Sequence, residues 1–582
     1  MLTLNEVIEN LLQLFSMQEY STAAQIIETA RELPELYNDT VAIYDANLCL
    51  MNNDYPQMWE AIRRGLSCNC KNSELYVLLG EYYLPTNPNQ AYLCFENALF
   101  YCEDENDRTT IQEYMDTLKR DCNITVRKTS FIILSYNLLD YTKECIESIR
   151  KNTPESAREI VIVDNASKDG SVDWLKQQKD IILRANTENS GFPKGCNEGV
   201  EVASKENDIF LFNNDTHLPP NALFWLRMGL YEDESHGAVG SVSNYVSNLQ
   251  QIPFSNPTTE SLLEFATSNN VPMAHPYETK TYLVGFALLI RRDVYDKVGD
   301  LDERFSPGNY EDTDYGLRVM QAGYKNVLCR NSFIIHYGSK SFGKLANVYA
   351  NILHANAQKF VCKWNINIID DLYPRQDLTS LIKAPENSFF CVLDFGCRLG
   401  STAAYIKGKY PNAYVCGVES RSDMAHMAQQ NTDVLCLDLE NTTLPFDPES
   451  FDYIIINDVL ERMQNPAEVL KKLRYFLKKG GKLLVSAYNL KHYSVILPLL
   501  MKDRFTYGGD GTLCTTHQKL FTGTEIQNLL VQTGFQVTAI HSVVADEPDA
   551  STNNLINLLA QISESKNRGQ YLVYKYLFMA GK

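Results

Sequence analysis

The sequence contains no long hydrophobic run. Nowhere do about 18 apolar residues follow one another, so no membrane-spanning helix is expected. Positive charge is also scarce: the formal net charge of −19 argues against a general surface for nucleic acid or anionic membranes. The N-terminus carries Glu6 and Glu9 and lacks the basic stretch that opens a secretory signal. Together these absences predict a cytoplasmic protein with no nucleic-acid partner.

The cysteines lack a pairing pattern. There are 15, an odd number, and they are scattered along the chain. Cys68 and Cys70 lie close together, but no second pair follows at a spacing that would complete a zinc site. Reduced thiols are therefore expected, as in the cytosol.

The chain is too long for one hydrophobic core. At 582 residues it predicts three or four domains, and 45% hydrophobic with 21% charged residues is ordinary for globular protein. The pattern of hydrophobic and polar residues changes twice along the sequence and defines three segments. It predicts an α-helical segment over residues 1–125, an α/β segment over 127–365 and a second α/β segment over 388–582.

The first segment repeats. The stretches that begin at Tyr20, Tyr55 and Pro88 align, and they place Ala30, Gly65 and Ala98 at spacings of 35 and 33 residues. This is close to the period of about 34 residues of tetratricopeptide repeats, whose small residues let paired helices approach closely. Stacked helix pairs form a concave surface, so the segment either binds a protein or peptide or caps the next domain.

The middle segment alternates hydrophobic strands with amphipathic helices, which predicts a parallel sheet. Polar residues follow several strands: Ser135-Tyr136-Asn137, Asp164-Asn165 and Asn213-Asn214-Asp215. The carboxyl edge of such a sheet is where α/β folds bind ligands. Asn and Asp are also turn residues, so a plain turn is the alternative.

Further along, Glu311 and Asp312 stand in an acidic stretch, and His336 directly follows an apolar strand. The acidic stretch is either an acid–base site or a solvated helix start. Taken alone, such a histidine is more often structural than a ligand.

These stretches, in this order, resemble glycosyltransferase family 2, inverting enzymes with a GT-A fold. Gly191-Phe192 with Asn197, Gly285-Phe286 and Asp302-Glu303-Arg304-Phe305 complete the match, which covers some 230 residues. The resemblance implies roles for named residues. The donor nucleotide would be bound by Ser135, Tyr136, Asn137, Asp164, Asn165, Lys194, Asn213 and Asn214.

The resemblance also implies a Mn²⁺ or Mg²⁺ site and a general base. Asn213 and Asp215 stand where the family has its Asp-x-Asp motif, with His336 as a further ligand. Asn213 departs from that motif and leaves Asp215 as the only charged member of the pair. Asp312 matches the general base, and Glu311 would position it or the acceptor.

The last segment resembles a class I S-adenosylmethionine-dependent methyltransferase with a Rossmann-like fold, complete from first to last strand. The resemblance implies S-adenosylmethionine as cofactor, held by Asp394, Gly396, Gly400, Glu419 and Asp438. One departure stands out: Arg398 occupies the place of the loop's middle glycine, where the backbone passes close to the ligand. The segment is thus either a working methyltransferase or a lapsed one that serves structure, dimerisation or acceptor binding.

The expected function is sugar transfer from a UDP- or dTDP-sugar to an acceptor hydroxyl. Repeats beside a transferase suggest a protein acceptor, and this composite resembles bacterial enzymes that O-glycosylate flagellins or other surface proteins. Two alternatives stay open: a bifunctional polysaccharide glycosyltransferase and methyltransferase, and a non-catalytic scaffold acting through the repeats. A homodimer is compatible with all three.

Overall fold

The computed structural model describes residues 3–338, 346–508, 511–544 and 547–582. The chain forms two compact units. The first comprises residues 1–278 and 282–360, and the second comprises residues 279–281 and 361–582. Among the described residues, no helix is long and apolar enough to cross a membrane.

The described residues up to position 125 are helical. The helices are α1 (Leu4–Ser16), α2 (Tyr20–Glu32), α3 (Asp39–Met51), α4 (Tyr55–Cys68), α5 (Ser73–Tyr83), α6 (Pro88–Tyr101) and α7 (Glu105–Asp121). The three sequence copies fall on α2, α4 and α6, each the second helix of a hairpin. Gly65 shows why small residues recur: a Cβ there would stand 2.6 Å from both Ala42 and Leu75. The assignment to tetratricopeptide repeats itself stays a prediction.

The same unit continues into an α/β domain. Its elements are β1 (Thr129–Ser135), α8 (Leu139–Asn152), β2 (Arg158–Asp164), α9 (Ser171–Leu175), β3 (Ile181–Ala185), α10 (Phe192–Val202), β4 (Asp208–Phe212), β5 (Thr216–His217), α11 (Ala222–Leu230), β6 (His236–Val242), α12 (Thr259–Asn269), β7 (Tyr277–Lys280), β8 (Ala287–Ile290), α13 (Arg292–Val298), α14 (Glu311–Gln321), β9 (Lys325–Phe333), β10 (Ile335–His336) and α15 (Ala346–Trp364).

The main sheet has eight strands in the order β3-β2-β1-β4-β8-β6-β9-β7. The strands β3, β2, β1 and β4 are parallel, as the sequence pattern predicts. The sheet is mixed rather than parallel throughout, because β8 runs antiparallel to both β4 and β6. Phe131 and Ile133 of β1 pack on one face and Ile132 on the other, so both faces are covered.

The helical segment packs directly on this domain through α6 and α11. Arg227 of α11 is buried and forms an ion pair with Glu96 of α6. Asn221, in the left-handed region at φ +61°, donates to the Cys70 carbonyl over 2.8 Å and accepts from the Tyr101 hydroxyl over 3.0 Å. One hydrophobic core runs through both parts.

The second unit holds another α/β domain. Its elements are α16 (Gln376–Thr379), β11 (Cys391–Phe395), α17 (Ser401–Lys409), β12 (Tyr414–Glu419), α18 (Ser422–Ala428), β13 (Asp433–Cys436), β14 (Phe451–Asn457), α19 (Pro466–Phe476), β15 (Leu477–Tyr488), α20 (Tyr493–Lys502), α21 (Gly523–Gln532), β16 (Gln536–Val544), α22 (Ala550–Ile562) and β17 (Val573–Gly581).

Its seven strands lie in the order β13-β12-β11-β14-β15-β17-β16. The first five are parallel, and β17 runs antiparallel to both of its neighbours, β15 and β16. The predicted fold class is confirmed: a helical N-terminal region, a central α/β domain and a C-terminal Rossmann-like domain. The exact domain boundaries stay predictions.

Candidate functional site

The carboxyl ends of β1, β2 and β4 lie side by side because these strands are parallel neighbours. Ser135 at the end of β1 is in register with Asp164 at the end of β2. On the other side of β1, Phe212 ends β4 and leads into Asn213-Asn214-Asp215. The structure therefore brings the polar residues expected from the sequence to one edge of the sheet, although their functional roles remain predictions.

Asp164 is buried, and only one of its two carboxylate oxygens accepts a hydrogen bond from the described residues. Its Oδ1 accepts a hydrogen bond from the Ser167 N–H over 2.8 Å. No donor among the described residues reaches Oδ2, which is also buried. A buried carboxylate oxygen without a donor costs about 1–3 kcal/mol, so this atom is suited to a ligand hydroxyl or N–H.

Three expected donor-binding residues direct their side chains into the protein. The Ser135 hydroxyl is 3.5 Å from that of Thr142, to which the Asn214 amide also donates over 3.0 Å. Asn165 holds the loop before α10: its amide donates to Asn189, and its oxygen accepts from the Ser190 hydroxyl over 3.0 Å. These contacts fix the floor of the site.

The other expected donor-binding residues lie nearer the surface. Tyr136 is 41% exposed, and Lys194 is exposed on the first turn of α10. Asn137 has φ +55° and exchanges hydrogen bonds with the loop after β2, donating its N–H to Ser167 and accepting from the Lys168 N–H. The two strand-end loops are thereby joined.

Asp215 and His336 face each other across a short ladder. Thr216 pairs with His336 between the antiparallel strands β5 and β10. Nε2 of His336 lies 3.3 Å from Oδ1 of Asp215, and both residues are buried. Nδ1 of His336 is 2.7 Å from the Tyr245 carbonyl. A carbonyl only accepts, so Nδ1 carries a proton, and Nε2 is the ring nitrogen that faces Asp215.

This arrangement fits a divalent cation. An imidazole nitrogen and a carboxylate oxygen that face each other are both electron-pair donors, and Mn²⁺ accepts both types. Asn213, half-buried beside them, would add an amide oxygen. The part of the chain that the structure describes holds no cluster of three or more His, Cys, Asp or Glu residues of the kind that binds a metal. The remaining ligands would therefore come from the donor diphosphate.

Gly285 and Phe286 connect this pair to the expected base. The Phe286 ring stacks on His336 with centroids 5.1 Å apart, and the Phe286 carbonyl accepts from the Asn213 N–H over 2.9 Å. The Gly285 N–H donates to Oδ2 of Asp312 over 3.0 Å. Two adjacent residues thus contact both the candidate cation ligands and the candidate base.

Asp312 lies in the first turn of α14, where N–H groups point outwards and favour an anion. Its Oδ1 accepts from the Thr313 N–H over 2.6 Å. Burial raises its pKa above the ordinary value, even though the hydrogen bonds from Gly285 and Thr313 oppose the shift. Burial, together with the charge of Asp312, raises the pKa of Glu311 well above its usual range. Asp312, which accepts two N–H groups, is therefore the easier of the two carboxyl groups to ionise.

Sequence reasoning missed the groups that hold these residues in place. The Asn244 side chain donates to the His336 carbonyl and accepts the His336 N–H, each over 3.0 Å. Tyr245 acts through its backbone carbonyl. These contacts of Asn244 and Tyr245 have no sequence signal, because they join loops about 90 residues apart.

The second unit carries the residues expected to hold S-adenosylmethionine. Gly396 and Gly400 have φ of +80° and +73°, as a tight loop after β11 requires. Burial raises the pKa of Asp394 to about 7. Glu419 ends β12 and is buried, whereas Asp438 accepts from the Glu440 and Asn441 N–H groups of its own turn.

Comparison with known families identifies both α/β domains. A family model described as glycosyl transferase family 2 matches residues 130–299, and one described as methyltransferase domain matches residues 367–540. The chain thus carries a family 2 glycosyltransferase domain followed by a methyltransferase domain. This confirms the resemblance read from the sequence motifs.

Three similar proteins illustrate the match. Glycosyltransferase AglE of Haloferax volcanii is 24% identical over 229 residues, which are 38% of this chain and 70% of that protein. A poly(ribitol-phosphate) beta-glucosyltransferase of Bacillus spizizenii is 34% identical over 94 residues, 15% of each chain. A solved S-adenosylmethionine-dependent methyltransferase from Mesorhizobium loti is 16% identical and matches 35% of this chain and 96% of that one, with a TM-score of 0.25.

Most of these matches are partial. For the Bacillus protein and three other curated relatives, the matched region spans 15% to 36% of the relative's own length.

Proposed function

We propose that the protein is a metal-dependent, inverting glycosyltransferase that moves a sugar from a nucleoside diphosphate donor to an acceptor hydroxyl. One observation carries the proposal: Gly285 and Phe286 contact Asp312 on one side and His336 and Asn213 on the other. A base and a cation site held next to each other in this way suit a single displacement, in which the acceptor oxygen attacks the sugar as the nucleoside diphosphate leaves. The family 2 match over residues 130–299 supports the same reaction class.

The donor nucleotide would lie against Asp164 and the loops that end β1 and β2. The free Oδ2 of Asp164 accepts a base N–H or a ribose hydroxyl, which suits a uridine or thymidine donor. Tyr136 and Asn137 border the same edge. Lys194, exposed on α10, meets the negative charge of the diphosphate.

Asp215, His336 and Asn213 would hold Mn²⁺ or Mg²⁺. A divalent cation, when bound, offsets the charge that the leaving diphosphate gains. The chain's own contribution is to hold two ligands in place: Tyr245 fixes the tautomer of His336, and the β5–β10 ladder fixes its distance from Asp215.

Asp312 would take the proton from the acceptor hydroxyl as that oxygen attacks the anomeric carbon. Its raised pKa brings its basicity nearer to neutral pH, which favours general base catalysis. Glu311, kept neutral, does not add a second negative charge beside the attacking oxygen. A single displacement needs no covalent enzyme intermediate and inverts the anomeric centre.

The acceptor is proposed to be a protein, bound with help from the helical repeats. The hairpins α1–α2, α3–α4 and α5–α6 supply an extended surface, and α6 is fastened to the catalytic domain by Arg227 and Glu96. By analogy, a flagellin or another surface protein in the cytoplasm is the proposed class of acceptor. The methyltransferase match favours the bifunctional alternative. Arg398, in the place of a loop glycine, counts against it.

The proposal is tested with the full-length protein, Mn²⁺ and a panel of nucleotide sugars, by measuring release of nucleoside diphosphate and the mass of acceptor proteins. Asp312→Asn removes the base but keeps the size and the hydrogen-bond acceptor. We expect transfer to fall about 10²- to 10⁴-fold. Donor binding, measured by calorimetry, should stay unchanged.

Asp293→Asn is the matched control. It makes the same change on α13, where the Asp293 side chain is 51% exposed and pairs with Arg291. Transfer by this variant should equal that of the wild type. Normal turnover by Asp312→Asn would contradict the assignment of the base.

A further inference from the structure

The loop after β11 places an arginine where the methyltransferase resemblance expects a glycine. Arg398 has φ +54°, in the left-handed region that glycine adopts freely. Its N–H donates to Oε2 of Glu419 over 2.9 Å. The backbone therefore keeps the course of a glycine loop while adding a long charged side chain, and that side chain is buried.

The Arg398 side chain faces carboxylates from a turn that lies before β11 in the chain. Residues 367–372 form this turn, and Asn367 caps it by accepting the Ile369 and Asp370 N–H groups. Nη1 of Arg398 lies 3.1 Å from Oδ1 of Asp371 and 3.8 Å from Oδ2 of Asp370. The turn and the loop are thus joined by buried ion pairs.

The pairing extends across the carboxyl ends of β14 and β15. Lys575 lies 3.3 Å from Asp370 and 2.6 Å from Asp458. Arg375 lies 2.7 Å from Asp458, which also accepts from the Ser486 hydroxyl. Burial opposes ionisation of Asp458, but Lys575 and Arg375 hold its pKa below the ordinary value. Three buried cations therefore face three buried carboxylates at the edge of the sheet where α/β folds bind ligands.

Glu419, which the resemblance expects to help hold the cofactor, by contacting its ribose, already accepts hydrogen bonds from within the domain. Oε1 of Glu419 accepts from the Ser420 and Arg421 N–H groups over 2.8 and 2.9 Å, and Oε2 accepts from Arg398. No ribose hydroxyl is needed to satisfy this carboxylate. The cofactor itself carries a positive sulfonium centre, and bringing it beside the buried Arg398 would place like charges together in a medium of low dielectric constant.

We propose that the C-terminal domain does not bind S-adenosylmethionine, because the Arg398 side chain, paired with Asp370 and Asp371, fills the cofactor site. Arg398, Asp370 and Asp371 do not fit S-adenosylmethionine, the cofactor that the fold implies. The domain keeps the methyltransferase fold but has a structural role. This inference is independent of the proposed glycosyl transfer, which takes place in the other unit.

Calorimetric titration of the full-length protein with S-adenosylmethionine and S-adenosylhomocysteine tests the proposal. The wild type should give no saturable heat with either compound. Arg398→Gly restores the expected loop residue and leaves Asp370 and Asp371 facing an opened space, so this variant should gain saturable binding. Saturable binding by the wild type overturns the proposal.

Arg421→Gly is the matched control. It removes an arginine from the same domain, but one that is partly exposed and paired with Asp423. It should gain no binding. Thermal unfolding shows whether each variant is folded, and a folded Arg398→Gly that gains no binding overturns the role of Arg398.

If Arg398→Gly does not fold, hydrogen exchange of the wild type with and without S-adenosylmethionine decides. Unchanged exchange over residues 394–400 supports the closed site, and new protection there overturns it.

Discussion

At the scale of single residues, the proposed cation site rests on one carboxylate. Among the described residues, Asp215 is the carboxylate that faces His336, and Asn213 can add only a neutral oxygen. Because a negative ligand contributes most of the electrostatic attraction for a divalent cation, the two residues should differ in effect. The Tyr245 carbonyl accepts from Nδ1 of His336, which leaves Nε2 as the ring nitrogen that faces Asp215.

We therefore expect Asp215→Ala to weaken Mn²⁺ binding and transfer about 100-fold or more, and Asn213→Ala to weaken them by about tenfold or less. Transfer rates as a function of Mn²⁺ concentration give both values. Asp293→Ala serves as control, since Asp293 lies outside the site and should leave the Mn²⁺ dependence unchanged. Equal, mild losses in Asp215→Ala and Asn213→Ala would show that the cation binds elsewhere.

Glu311 gives stability a pH dependence. Burial and the neighbouring Asp312 raise its pKa, so its protonated form is the one that the fold stabilises. That contribution is complete below the pKa of an unfolded glutamate and is lost as the pH rises through the raised folded value. Glu311→Gln keeps the shape of the neutral side chain and cannot ionise.

The unfolding temperature of the wild type should therefore fall relative to that of Glu311→Gln as the pH rises above about 5. The control Glu234→Gln, at an exposed glutamate, should track the wild type across the range. A difference between Glu311→Gln and the wild type that is constant with pH would mean that Glu311 does not carry the proton.

At the scale of elements, the sequence predicts where strands lie better than it predicts which elements they pair with and in which direction. The ends of β1, β2 and β4 are readable because an apolar run stops at a polar residue, and parallel neighbours put those ends at one edge. The direction of β8 is not readable, because a short apolar strand looks the same whichever way it runs. The helix α14 is readable as an acidic start, but its approach to Gly285 is not.

The candidate sites divide in the same way. Asp164, Asp215 and Asp312 are visible as residue types at fixed places, whereas Asn244 and Tyr245 act through contacts between distant loops. Arg398 illustrates both what the sequence shows and what it does not. Its departure from the glycine pattern is plain in the sequence, but its carboxylate partners belong to a turn outside that pattern. The sequence shows which chemical groups are present, but only the folded structure shows which group a buried side chain contacts.

At the scale of the whole molecule, the N-terminal helical segment and the α/β domain of the first unit share one core. Arg227 and Glu96 join α11 to α6 as a buried ion pair, and Arg227 also donates to the Arg127 carbonyl over 2.9 Å. Removing one partner of a buried pair leaves an uncompensated charge, which costs about 3–5 kcal/mol. An exposed pair costs far less, because water solvates the remaining group.

Glu96→Gln should therefore lower the free energy of unfolding of the first unit by about 3 kcal/mol. The control Glu60→Gln removes a glutamate that pairs on the surface with Arg63 and Arg64, and should change it by less than about 1 kcal/mol. Urea denaturation followed by tryptophan fluorescence gives both values, since Trp225 lies in α11. If the repeats and the catalytic domain share one core, limited proteolysis of Glu96→Gln should expose α6 and α11 together. Cleavage of the helical segment alone, with α11 still protected, would mean that the repeats fold and bind independently of the transferase they precede.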